Sequence, residues 1–224
     1  MSKEEIYISV DIETDGPIPG TYSMLSLGAV ALKADKTVLG EFEINLETLP
    51  NAKQSESTME WWSQPEQRAA WEYARKDPKD PKYAMEKFVE WVKSFEGKPV
   101  FLGWPVAFDF TFVYWYIINF LGDKTSPFGR MGFSAVDVGS FAMAELKMTR
   151  EGVGRKAMPQ EWFADKFPQT HKALDDARAQ GHIFCNMLAQ NRTPQFLTIP
   201  AYVARCRSGP WKVGPFMRKE CTLA

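Results

Sequence analysis

The stretch Ile6-Tyr7-Ile8-Ser9-Val10-Asp11-Ile12-Glu13 decides how the rest of the chain is read. Ile6, Ile8, Val10 and Ile12 recur at every second position, the period of a β-strand. Side chains on a strand alternate between its two faces. Asp11 and Glu13 therefore share the face opposite the aliphatic residues and stand together at the strand's end. The following Thr14-Asp15-Gly16-Pro17-Ile18-Pro19-Gly20 turns the chain. Two carboxylates held side by side repel unless a cation lies between them or one stays protonated. A hard divalent ion such as Mg²⁺, which takes oxygen ligands, resolves that conflict. The remaining chain is expected to supply the other half of such a site.

Outward from this strand, residues 24–32 read as a second strand and residues 37–46, with Val38, Phe42 and Ile44, as a third, together an antiparallel meander. Residues 48–57 are polar and loop-like. Residues 58–63 and 65–76 read as helical, with Pro65 suited to a first turn. Asp77-Pro78-Lys79-Asp80-Pro81 breaks that run. Residues 83–95 resume it, with Met85, Phe88, Val89 and Val92 on one stripe. Residues 99–103 form a short apolar run expected as a central parallel strand. Residues 109–121 are apolar nearly all round, which predicts a buried helix. Residues 133–138 predict a further strand, followed by a helix through Lys147. Residues 149–159 read as a loop carrying Arg150, Arg155 and Lys156. The last long helix begins near Lys172, with Ala173, Ala177, Gly181, Phe184 and Leu188 as its stripe. Strands first, then strands alternating with helices, predict an α/β protein with a mixed sheet flanked by helices.

Bulk properties bound the reading. A chain of 224 residues, 45% hydrophobic and 25% charged, suits one well-packed soluble domain with a small appendage. No basic segment followed by an apolar run opens the sequence, so no signal peptide is expected. The longest apolar stretch is too short to cross a bilayer. Cys185, Cys206 and Cys221 show no paired metal-ligand spacing. A reduced, cytoplasmic protein without membrane contact is the simplest expectation. The overall charge of −1 hides an asymmetry: residues 191–224 carry six basic side chains against Glu220 alone, leaving residues 1–190 at −6. An acidic body with a basic extension fits a metal site plus a phosphate-contacting arm. A solvated tail with no partner, or one that pairs two subunits, fits as well.

Two further places complete the acidic set. Phe108-Asp109-Phe110 puts a lone carboxylate at the start of an apolar helix, and His171-Lys172-Ala173-Leu174-Asp175-Asp176 puts a histidine just before a helix and a carboxylate five residues later. Asp176 borders the apolar stripe through Gln180, Ile183 and Met187, whereas Asp175 is turned about 100° away and is expected to be solvated. His182 reads as structural or solvated, and Asp137 as a helix cap.

Asp11-x-Glu13, Phe108-Asp109 and His171-x-Ala173-x-x-Asp176, in that order, resemble the three motifs of the DEDDh (DnaQ-like) 3′–5′ exonuclease family, named for four acids and a histidine. The resemblance spans residues 6 to about 190, here taken as a domain of residues 1–190 with a basic extension of residues 191–224. It implies a ribonuclease H-like fold, two Mg²⁺ or Mn²⁺ ions, and removal of nucleotides from the 3′ end of single-stranded RNA or DNA. It also implies Asp11, Glu13, Asp109 and Asp176 as metal ligands and His171 as general base. Thr58-Met59-Glu60-Trp61-Trp62 is similar to a bacterial and phage exoribonuclease-like branch. Small members of the family are commonly dimers, which implies a homodimer. Two departures stand out: Trp104-Pro105 replaces the family's His-Asn before the second motif, and Asp15 stands where Thr is common.

The chemistry makes the pattern intelligible. Phosphodiester hydrolysis needs a deprotonated water and a stabilised leaving oxygen, and a pair of metal ions supplies both. Four carboxylates balance the four positive charges of two divalent ions. A histidine titrates near neutrality and can take up and release the water's proton. For substrate contacts the candidates are Thr14, Phe108, Trp61, Trp62, Arg155 and Lys156. Aromatic faces stack on any base, with core packing as the alternative; the cations suit phosphates, with a solvated loop as the alternative. RNA or short oligonucleotides are the favoured substrate, DNA of the repair or proofreading type the alternative. Haloacid-dehalogenase phosphatases also open on an acidic pair, but they need Asp-x-Asp and a separate lysine, which Glu13 and the His171 spacing fit badly. A non-catalytic ribonuclease H-like binding module would be expected to lack one of the acids or the histidine, and none is missing.

Overall fold

In the computed structural model, which describes residues 4–122, 134–168 and 170–192, five strands form one sheet. They are β1 (Glu5–Thr14), β2 (Met24–Leu32), β3 (Val38–Asn45), β4 (Lys98–Gly103) and β5 (Ala135–Asp137), in the order β3-β2-β1-β4-β5. The meander β1-β2-β3 is antiparallel, whereas β4 pairs parallel with both β1 and β5. The helices are α1 (Glu56–Trp62), α2 (Arg68–Ala74), α3 (Pro81–Lys93), α4 (Val106–Leu121), α5 (Val138–Leu146) and α6 (Ala173–Arg192). This is the mixed sheet flanked by helices that the sequence predicts.

Strand β1 lies at the centre and is covered on both sides. Ile6, Ile8, Val10 and Ile12 pack with Met85 and Phe88 of α3 and with Phe112 and Tyr116 of α4. On the opposite face Tyr7 packs edge-on against Phe184 of α6, with ring centroids 5.0 Å apart. Asp11 and Glu13 continue that second face to the strand's end, where the covering helices stop. The β1 alternation thus separates two apolar layers rather than core from solvent.

Helix α6 lies unusually close to the sheet. A Cβ on Gly28 would sit 2.1 Å from the Leu174 backbone nitrogen, and one on Gly181 would press into Leu32 and Ser9. Two polar contacts fasten this approach: Ser9 Oγ donates to the Ala177 carbonyl at 2.8 Å, and Gln180 Nε2 donates to the Val10 carbonyl at 2.6 Å.

Three expectations need correction. Residues 65–76 are not one helix: Pro65–Gln67 form a 3₁₀ turn before α2 begins. Helix α4 is covered along one face, by Asp109, Phe112, Val113, Tyr116 and Ile117, while Phe110 and Tyr114 are only partly covered and Thr111 and Asn119 are exposed. Its composition exceeds the width of the sheet it packs on. Finally, a short 3₁₀ turn, Gln160–Phe163, buries Trp162 between the loop and α6, where no element was expected. The chain divides after Gln190. Residues 193–224, which hold most of the basic tail together with Cys206 and Cys221, lie outside the described residues, as does Phe133. Among the described residues no helix is long and apolar enough to cross a membrane.

Candidate active site

The carboxylates converge at the carboxyl ends of β1 and β4, the edge at which open α/β sheets bind ligands. Asp11 stands opposite Gly28 and Glu13 opposite Ser26, and the register shifts immediately after Glu13. Asp109 comes from the first turn of α4 and is 3% exposed. Pro105, not Asp109, holds the capping position of that helix, so Asp109 is free to turn inward. Its Oδ1 accepts from the Ile12 N–H at 3.3 Å. Its Oδ2 is buried and has no hydrogen-bond partner among the described residues. Gly103, at the end of β4, leaves room for it, since a Cβ there would lie 3.1 Å from Oδ2.

Helix α6 brings the other half. Carboxylate oxygens of Glu13 and Asp176 and a ring nitrogen of His171 lie within 4.8 Å of one another. Burial, followed by the charges of Asp109, Glu13 and Asp176, raises the Asp11 pKa well above the ordinary carboxylate range. Burial and the charges of Asp176 and Asp109 raise Glu13 similarly. Burial pushes Asp109 up to about 8. Asp176 is raised by burial, against the opposing pull of His171 and Arg155. Burial first, and for Asp11 and Glu13 the repulsion of their neighbours, thus disfavour the ionised forms of these acids.

His171 is exposed, with φ +50°, two residues before α6 begins at Ala173. Trp61 of α1 meets its imidazole edge-to-face, with centroids 5.1 Å apart. Thr170 Oγ1 donates to Asp175 Oδ2 at 2.8 Å, and Arg178 Nη1 donates to Asp175 Oδ1 at 2.7 Å. The expectation that Asp175 is merely solvated is therefore wrong: its carboxylate is engaged on both oxygens. The i,i+3 spacing of Asp175 and Arg178 on a helix was the available signal.

Other candidates divide. Arg155 faces the cluster: its charge lowers the pKa of Asp11 and of Asp176, and its guanidinium lies 5.1 Å from the Trp104 ring. Lys156 is exposed, and among the described residues no contact ties it to the acids. Phe108 is partly buried, packed against the core and 5.2 Å from the Phe112 ring. Thr14 is buried, and its carbonyl accepts from Trp62 Nε1 at 2.9 Å. Trp62 is 4% exposed. It offers no face to a base, so its expected stacking role is corrected to packing: it clamps α1 onto the end of β1. Asp15, noted only as a departure, closes the turn after β1, with its carboxylate accepting the Ser23 N–H and its carbonyl accepting the Ser55 N–H. Asp137 caps α5 through the Ser140 N–H, as expected, and also accepts the Val106 N–H at 3.0 Å. His182 packs on Phe167 beside Asp165, a structural setting.

Comparison with known proteins identifies the family and the fold. The 3′–5′ exoribonuclease Rv2179c-like domain matches residues 6–188. The Escherichia coli 3′–5′ DNA exonuclease Cap18 is 34% identical over 190 residues, 81% of this chain and 90% of that protein. The nuclease domain of 3′hExo, a DEDDh family member bound to rAMP, superposes with a TM-score of 0.61 at 14% identity, over 83% of this chain and 92% of the other. A 3′-exonuclease that recognises the histone mRNA stem-loop superposes with a TM-score of 0.63 at 13% identity. The match covers 84% of this chain, which spans 65% of that longer protein. The sheet is thus the ribonuclease H-like sheet seen in such nucleases, and the chain belongs to the Rv2179c-like 3′–5′ exoribonuclease domain family, a family of 3′–5′ exonucleases.

Proposed function

We propose that this chain hydrolyses the terminal phosphodiester at the 3′ end of single-stranded nucleic acid, RNA or short oligonucleotides first, releasing nucleoside monophosphates. One observation carries the reading: three structural elements deliver four carboxylates and an exposed imidazole to one sheet edge. The donor set suits Mg²⁺ or Mn²⁺, since every candidate ligand among the four acids is a hard oxygen. The buried, unpartnered Asp109 Oδ2 and the raised pKa values of Asp11 and Glu13 fit a site built for cations. Asp11, Glu13, Asp109 and Asp176 would hold two divalent ions. When bound, such ions lower the pKa of water and stabilise charge on the phosphoryl and leaving oxygens.

The protein's own groups do the rest. His171, on the solvent side of Glu13 and Asp176, accepts the proton of the attacking water and returns it to solvent. Arg155, held over Trp104, draws the substrate phosphate toward the acids. Trp61, beside His171 and only partly buried, and Phe108, beside Asp109 in the sequence, flank the terminal nucleotide. Trp104 occupies the place of the family's usual His-Asn, so recognition of the last nucleotide here uses an aromatic ring and a cation.

The family description supports RNA, whereas the 34% identical Cap18, a DNA exonuclease by name, supports DNA as the second reading. The deciding experiment compares single-stranded RNA, single-stranded DNA and 3′-recessed duplex DNA of one sequence, with Mg²⁺ and with Mn²⁺. The expected result is stepwise shortening of the 3′ end, fastest on RNA. Faster turnover of DNA would move the assignment to the second reading, and no metal-dependent product on any substrate would overturn it. The expected homodimer is read from the mass in solution.

A further inference from the structure

His171 sits where a general base is needed, yet it belongs to no helix or strand itself; its backbone N–H meets Asp176 of α6 and its ring meets Trp61 of α1. It is exposed, it has a left-handed backbone conformation that non-glycine residues seldom adopt, and it precedes the first turn of α6. What brackets it is a chain of polar contacts that begins on the far edge of the sheet. Glu41, on edge strand β3, accepts two parallel hydrogen bonds from Arg178, Nε to Oε1 and Nη2 to Oε2, each 2.7 Å. Arg178 Nη1 reaches Asp175 Oδ1 at 2.7 Å, and Asp175 Oδ2 accepts from Thr170 Oγ1 at 2.8 Å. Thr170 Oγ1 in turn accepts the Lys172 N–H at 3.3 Å. The hydroxyl therefore ties together the two residues on either side of His171.

We propose that Glu41, Arg178, Asp175 and Thr170 act as one positioning network, which holds the His171 backbone so that its imidazole stands over Glu13 and Asp176. The inference rests on the reading of His171 as the proton acceptor. None of the network's hydrogen bonds described above goes to the four acids, although the Asp175 charge acts on Asp176; replacing Thr170 leaves that charge in place. Its ion pairs are substantially exposed, with the Arg178, Glu41 and Asp175 side chains at 30%, 38% and 28%. Exposed pairs contribute little to stability, so the function of this arrangement is geometric. Arginine's planar fork suits that task, because two parallel bonds set direction as well as distance. Trp61 closes the other side of the ring. Without the network, His171 occupies its working position for a smaller fraction of the time, and turnover falls by that fraction while substrate affinity stays the same.

The test uses Thr170, whose replacement by valine keeps its shape and removes only the hydroxyl. Thr170→Val is expected to lower kcat about tenfold, with KM and Tm unchanged, as for a competent state cut to about a tenth of its population. Thr170→Ser should restore the rate. In a His171→Ala background, Thr170→Val should cause no further loss, because residues that act through one another are not additive. The chain has only two histidines, so the His171→Ala spectrum assigns both imidazole resonances. Thr170→Val should move the His171 resonance, which lies in the ring current of Trp61, and leave that of His182 in place. A wild-type kcat in Thr170→Val, an additive loss in the His171→Ala background, or an unmoved His171 resonance would overturn the network. If the wild-type protein cleaves no nucleic acid the proposed activity fails instead, and the resonance still decides whether the network holds the ring.

Discussion

Asp109 meets Ile12 through one oxygen only: Oδ1 accepts the Ile12 N–H at 3.3 Å, and the buried Oδ2 is left facing Gly103 and the acidic cluster. Burial pushes this carboxyl up to about 8, against an ordinary aspartate near 4. Asp11, Glu13 and Asp176 are raised as well. The sign follows directly. Between pH 5 and 8 the metal-free folded state keeps protons that the unfolded chain has released, so stability falls as pH rises. Carboxylates held low, such as Glu41 beside Arg178, exert their effect below that window. We expect Tm in EDTA to fall from pH 5 to pH 8. Asp109→Asn should flatten the fall and raise Tm at pH 8 by at least about 3 °C, given about 2–4 °C per kcal/mol in a chain of this size. Mn²⁺ should restore the wild-type protein and leave the variant, which should lack activity, largely unmoved. A Tm in EDTA that is level across that range would count against a cation-deficient cluster.

The neighbouring tryptophans of α1 should separate stability from activity. Trp62 is buried and donates to the Thr14 carbonyl, so Trp62→Ala should cost roughly 3–5 kcal/mol. Trp61 is partly exposed beside His171, and Trp61→Ala should change Tm little while lowering kcat. Thermal scans and initial rates on the two variants check this, and the reverse ordering would mean that the roles have been exchanged.

His171→Ala should leave Tm within about 2 °C of wild type, because His171 is exposed and an exposed substitution moves stability by about 0.5 kcal/mol, at about 2–4 °C per kcal/mol here. Its kcat should fall by roughly 10²–10⁴-fold, the usual range for removing a general base. Steady-state rates in saturating Mn²⁺ measure this, and an undiminished kcat would remove His171 from the reaction.

What could be read from the sequence follows from which interactions are local. The alternation around Asp11 and Glu13 located β1 and put both acids on one face, because a strand's period is a property of the backbone itself. The His171–Asp176 spacing likewise survives folding, since both residues belong to one helix start. Burial could not be read in the same way. Trp61 and Trp62 are adjacent and chemically identical, and the end of β1, distant in sequence, together with Trp71 of α2 decides which one is covered. Asp175 looked solvated because only its rotation away from the stripe was weighed; its partners Thr170 and Arg178 are local, and what the sequence hid is that Arg178 is itself fixed by Glu41, from a strand more than a hundred residues earlier. Helix α4 looked buried all round because composition records how apolar a surface is, not whether anything covers it.

The close approach of α6 to β2 yields the sharpest structural test. Gly28 lies opposite Asp11, and a Cβ there would meet the Ala173 carbonyl carbon at 2.3 Å and the Leu174 nitrogen at 2.1 Å. Both are backbone atoms of the first turn of α6, so no rotamer change relieves the clash and the turn itself must retreat. That turn carries Asp176 and begins two residues after His171. Gly28→Ala should therefore cost about 1–3 kcal/mol from overpacking. It should also lower kcat by about 10²-fold, since a displacement on the order of 1 Å at a reacting group has that effect. Alanine at Gly154, whose Cβ would meet nothing within 4 Å, is the matched control and should leave both quantities unchanged. Measured at a temperature where both variants are fully folded, a Gly28→Ala enzyme as active as the Gly154→Ala control would show that the acids tolerate movement of α6. The close packing of that helix would then serve stability alone.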